Sequence, residues 1–109
     1  MATTTHDILL ANAAVKTLNF QNSYLGALKG GKIPKEDILD ILQQQGCVEL
    51  RYYFALDNTT NTNAIHIILC GVNAEGNDIL PIVGREAKLK DNAWPCPPHC
   101  GSANELNHI

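Results

Sequence analysis

At 109 residues with 45% apolar content, the chain is sized for one domain around one core. A charged fraction of 17% and a net charge of -3 exclude extensive disorder. The eight basic residues are scattered from Lys16 to Lys90, in loose groups at Lys29/Lys32/Lys35 and Arg85/Lys88/Lys90, so no nucleic-acid footprint forms. So few charges leave an apolar or amide-rich surface, which points to a homo-oligomer or a protein partner.

The first element predicted is an amphipathic helix over about Thr5 to Asn19, with Ile8, Ala11, Val15 and Leu18 on one face, Thr5 as N-cap and Asp7 in the first turn. Its apolar stretch from Ile8 to Val15 is broken by Asn12 and too short to span a bilayer. No basic residue precedes Lys16 behind Met1, so no secretory signal is expected and the chain reads as cytoplasmic, without membrane contact. Gly26 to Lys32 reads as a loop. It fits the opening of a phosphate-binding loop, but Ile33 stands where Ser or Thr should bind magnesium and a helix precedes it, so the nucleotide reading fails.

A second helix should start at Pro34, carry Ile38, Leu39, Ile41 and Leu42, and stop at Gly46. Glu36, Asp37 and Asp40 are then a solvated helix start rather than a catalytic dyad. From Cys47 the period becomes two: Val48, Leu50, Tyr52, Phe54 and Leu56 form the expected buried face, alternating with Glu49, Arg51, Tyr53 and Ala55. Asp57 to Asn63 reads as a hairpin loop, and Ala64 to Val72 returns as a strand apolar on both faces, hence central. Its His66 is expected to be a satisfied buried histidine. Cys70 should face about Leu50, too far from Cys47 for a disulfide. Asn73 to Asn77 is a turn, and Asp78 to Val83 a third strand kept at an edge by Pro81.

The expected architecture is a single α+β domain over 1–109, with two N-terminal helices packed on a three-stranded antiparallel meander and an irregular Pro/Cys-containing tail from 84 to 109. One sheet face stays uncovered in this arrangement. Either the tail with Trp94 or another subunit must cover it.

The densest chemistry lies in Trp94-Pro95-Cys96-Pro97-Pro98-His99-Cys100, where prolines bar a helix or an inner strand. Cys96, His99 and Cys100 are the candidate metal ligands, because thiolate and imidazole suit zinc. Four cysteines in a reducing cytosol would stay thiols, so the even count does not by itself imply disulfides. Zinc binding, a short-loop disulfide and inert packing all remain open, with packing the favoured reading. A thioredoxin-like enzyme does not fit, since only nine residues follow Cys100. No arrangement of Ser/His/Asp or Cys/His/Asn suggests a catalytic centre, and no cofactor other than zinc is suggested.

The stretch Gly46-Cys47-Val48-Glu49-Leu50-Arg51-Tyr52-Tyr53-Phe54, the turn Gly71 to Asp78 and the ending Cys96-Pro97-Pro98-His99-Cys100 resemble a group of small uncharacterised bacterial proteins with a C-P-x-x-C type ending. The resemblance implies no activity and assigns no residue a role. The expectation for function is a self-associating binding or assembly module. A zinc-binding or thiol-active protein centred on the tail is the alternative.

Overall fold

The structure, a computed structural model, describes residues 6–26, 28–61, 64–84, 86–92 and 94–108. Helix α1 spans Leu10–Ser23, after Leu9 in an extended conformation that offers no side-chain cap. The expected N-cap Thr5 lies outside the described residues. The helix runs further than Asn19, because Phe20 and Tyr24, one turn apart, stack at 4.9 Å and the Tyr24 amide donates to the Phe20 carbonyl. Helix α2, Lys35–Leu42, follows the expectation closely, with Pro34 capping, Glu36 and Asp37 in its first turn, and Ile41 completely buried. Gly46, at φ +82°, then turns the chain into the sheet.

Strands β2, Cys47–Ala55, and β3, His66–Asn73, form the antiparallel hairpin. A bulge lies between Cys47 and Glu49, and Cys70 faces Arg51, one residue from the expected partner. The turn after β3 is built by Asn73, whose side-chain oxygen accepts from the amides of Glu75 and Asn77.

The three-stranded meander requires correction. The sheet pairing of β4, Asp78–Ile79, stops at Ile79, and β5, Lys90–Asn92, joins the same edge of β3 opposite Leu69, Ile68 and Ile67. The sheet is therefore four-stranded, and part of the expected irregular tail is strand. Helix α2 pins this return: Lys90 reaches Asp40 at 2.9 Å and Asp37 at 3.6 Å, while the Lys88 amide donates to Gln44.

The two-helix layer also requires correction. Helix α2 does lie on the sheet, where a Cβ added to Gly71 would come within 2.8 Å of the Cys47 sulfur and 3.4 Å of Ile41 Cγ2. Helix α1 instead buries none of its residues and is held by the chain's end. Thr17 meets His108 at 2.9 Å, Gln21 donates to the Leu106 carbonyl, and Lys29 donates to the Asn107 carbonyl. The segment expected as a loop supplies β1, Gly30–Gly31, which pairs with β6, Pro95–Cys96.

With only the eight residues of α2 over the sheet, the expected buried face of β2 is covered at its Leu50 end alone. Tyr52 and Phe54 stay 61% and 77% exposed. The fully buried side chains are Ile41, Leu69 and Cys70, and Leu69 and Cys70 are consecutive residues of central β3, so both of its faces are covered there. The molecule measures 47 × 43 × 22 Å, and its radius of gyration of 16.2 Å exceeds the roughly 13 Å of a compact chain this long.

Candidate functional site

Alternation along paired strands gathers polar groups on the sheet face opposite α2. Glu49, Arg51 and Tyr53 of β2 share that face with His66 and Cys70 of β3, Asp78 of β4 and Asp91 of β5. Asp78 is the hub: Arg51 donates to one carboxylate oxygen and Tyr53 to the other, with Cys70 on the same face of the sheet. Arg51 reaches the Gly76 carbonyl as well, at 3.3 Å, which ties β2 to the turn.

Each group takes the protonation state that its partners favour. The Tyr53 hydrogen bond, together with the Arg51 charge, holds the Asp78 carboxyl below the usual carboxylate range against the opposing effect of burial. Donation to Asp78 pushes the Tyr53 phenol up. Burial pushes the Cys70 thiol up, so it stays protonated at neutral pH and is a weak nucleophile. Arg51, beside Tyr53 and Asp78, is raised further.

His66 forms the second cluster, with Nδ1 2.5 Å from Asp91 and Nε2 3.2 Å from Asp57, the latter without hydrogen-bond alignment. The hydrogen bond to Asp91 outweighs desolvation and raises the imidazole pKa. Set between Asp91 and Asp57, the ring ties β3 to β5 and lies against the loop after β2. The expectation of a satisfied histidine is met at Nδ1 alone, since Nε2 is buried without a hydrogen bond, and the Asp91 partner was not legible, because the pairing of β5 with β3 has no local signal.

The nominated residues Cys96, His99 and Cys100 lie together in a closed turn. Cys96 and Cys100 are joined by a disulfide, with Cα atoms 4.6 Å apart, and the His99 amide donates to the Pro95 carbonyl. The neighbouring peptides Cys96-Pro97 and Pro97-Pro98 are both cis. The His99 ring sits edge-on to Trp94 at 5.0 Å, and Lys32 lies 5.3 Å from the indole. Trp94 therefore belongs to the β1–β6 corner. Among the described residues no group of three or more His, Cys, Asp or Glu side chains is placed to hold a metal.

Cys47 and Cys70 are free thiols. No helix among the described residues is long and apolar enough to cross a membrane.

These features define an α+β chain with a four-stranded antiparallel sheet, a buttressed polar row on one face and a disulfide-closed turn in its tail. No protein-family model matches the chain, and neither a curated protein nor a solved structure matches it.

Proposed function

We propose that the chain is a small assembly module that self-associates through its sheet. The observation that carries this is surface: the chain exposes 8377 Å², whereas a compact protein of 11.9 kDa exposes about 5,900 Å². The excess is about three times the roughly 800 Å² that each partner gives up in an interface of standard size. Its apolar part is spread over loops and elements alike, and on the sheet and its helix it includes Val48, Tyr52 and Phe54 of β2 and Leu39 and Leu42 of α2. The polar row supports the same reading. Arg51 and Tyr53 are tied to Asp78 and His66 to Asp91, as suits a rigid scaffold rather than a proton-transfer site. Sedimentation at micromolar concentration tests the proposal: more than one chain per particle is expected, and a monomer across the accessible range rejects it.

A second reading, a thiol-active or zinc-binding tail, is favoured by one observation, the juxtaposition of Cys96 and Cys100 around His99. In a reducing cytosol the disulfide would accept two electrons and two protons from a thiol donor and open to the dithiol. Only that form supplies thiolates to zinc, and His99 would have to turn from Trp94 to join them. Metal analysis of reduced protein tests this, with about one zinc per chain expected and metal-free protein excluding the zinc form.

A further inference from the structure

The self-association proposed above leaves open which part of the sheet meets the second copy, and the strand edges decide between the candidates. On one edge of the sheet, β4 has two residues and β5 three, and the two are separate strands. Such an edge is too short and broken to template a partner strand. The opposite edge is β2, nine residues long and hydrogen-bonded to β3 on one side only. Among the described residues, Val48 to Ala55 make no backbone–backbone hydrogen bond outside the β2–β3 ladder, and at the bulge the Cys47 thiol donates to the Glu49 carbonyl at 3.3 Å. Of the usual guards of an exposed edge, Cys47–Ala55 holds no proline and no lysine, its bulge and Glu49 sit at the Cys47 end, and Arg51 is drawn back to Asp78.

We propose that β2 is the dimerisation edge: two copies join β2 to β2 in antiparallel fashion about a two-fold axis at Tyr52, fusing their sheets into one. Pairing about a residue keeps the faces of the two sheets in register, because residues the same distance either side of the axis share a face. The bulge between Cys47 and Glu49 limits regular pairing to Glu49–Ala55, whose midpoint is Tyr52. In that register Leu50 lies opposite the partner's Phe54, which covers an otherwise 77% exposed ring. Arg51 lies opposite the partner's Tyr53, whereas an axis one residue earlier would set the two Arg51 side chains face to face, a like-charge pair that disfavours it. The internal Arg51–Asp78–Tyr53 network already fixes these side chains, so little further ordering is required on association.

Amide hydrogen exchange on the unmodified chain, at concentrations above and below the association midpoint, reads the interface directly. Edge pairing requires that alternate amides between Glu49 and Ala55 slow at least tenfold on association. Tyr52→Cys, made together with Cys47→Ser, adds an independent readout: the introduced thiols meet across the axis and should link the two copies on mild oxidation. An associated particle whose β2 amides exchange as fast as in dilute protein overturns the edge and leaves self-association standing. A chain that stays monomeric at every concentration overturns both.

Discussion

Gly71 is the residue on which the contact of α2 with the sheet depends. An added methyl group would meet the Cys47 sulfur at 2.8 Å, Gln44 Nε2 at 3.0 Å and the wholly buried Ile41. The Gln44 amide could swing away, but the Cys47 sulfur is the closest contact and Ile41 is core. Gly71→Ala should therefore lower stability by about 1–3 kcal/mol, the usual range for overpacking, read as a lower denaturant midpoint with unchanged slope. His66 calls for a pH experiment. Its folded pKa is raised by Asp91, so its contribution is complete below the unfolded value of about 6.5 and is lost as pH climbs through the folded value. The melting temperature of the native chain should thus exceed that of His66→Gln most at pH 6, and the gap should close under alkaline conditions. Asp78 behaves in the opposite sense. Its pKa is lowered, so its contribution is full at neutral pH and disappears only in acid below the ordinary aspartate range.

Among the elements, the β1–β6 pair and the tail act as a clasp on α1, which buries no residue of its own. The disulfide closes a loop with a sequence separation of only four, so its effect on the unfolded chain is small, about 2 kcal/mol on the loop-entropy scale. Cys96→Ser should consequently loosen the clasp without unfolding the sheet. Amides of α1 are expected to exchange faster while those of β3 hold, and equal loss in both would show that the chain unfolds as one unit. The Cys96–Cys100 bond itself can be checked by a mass two units lower than that of the reduced protein. On β2, Phe54→Ser removes a ring that the single chain leaves bare. It should weaken association while leaving the monomer's stability within about 0.5 kcal/mol, as for other exposed positions.

At the scale of the whole molecule, a flat shape with a radius of gyration of 16.2 Å and an open apolar surface should make folding and association interdependent. The melting temperature should rise with protein concentration, because anything that binds only the folded state stabilises it by mass action. A melting temperature independent of concentration over a hundredfold range would contradict this. The charge count acts in the same direction: with 17% charged residues, the molecule has little with which to solvate 47 × 43 Å of surface.

Local pattern was enough for the α+β class, for α2 with its Pro34 start and Gly46 stop, for the β2–β3 hairpin and for the Asn73 turn. Each of these depends on residues within a few positions of one another, where capping, periodicity and turn chemistry act. Cys96, His99 and Cys100 were conspicuous for the same reason, although their disulfide depends on how the turn closes. Four things were decided by the tertiary structure alone. The third strand is split, because Asp37, Asp40 and Gln44 of α2 hold the returning chain at Lys88 and Lys90. Asp78 and Asp91 become partners of Arg51, Tyr53 and His66 through strand pairing across 25 or more residues. Gly30–Gly31 becomes a strand only because Pro95–Cys96 comes to lie beside it. Finally, α1 is drawn to the tail and away from the sheet, so Tyr52 and Phe54, which alternation marked for burial, face outward. Alternation records that a face is apolar, but what covers that face is set by contacts between distant segments, and here the proposed cover is a second copy of the chain.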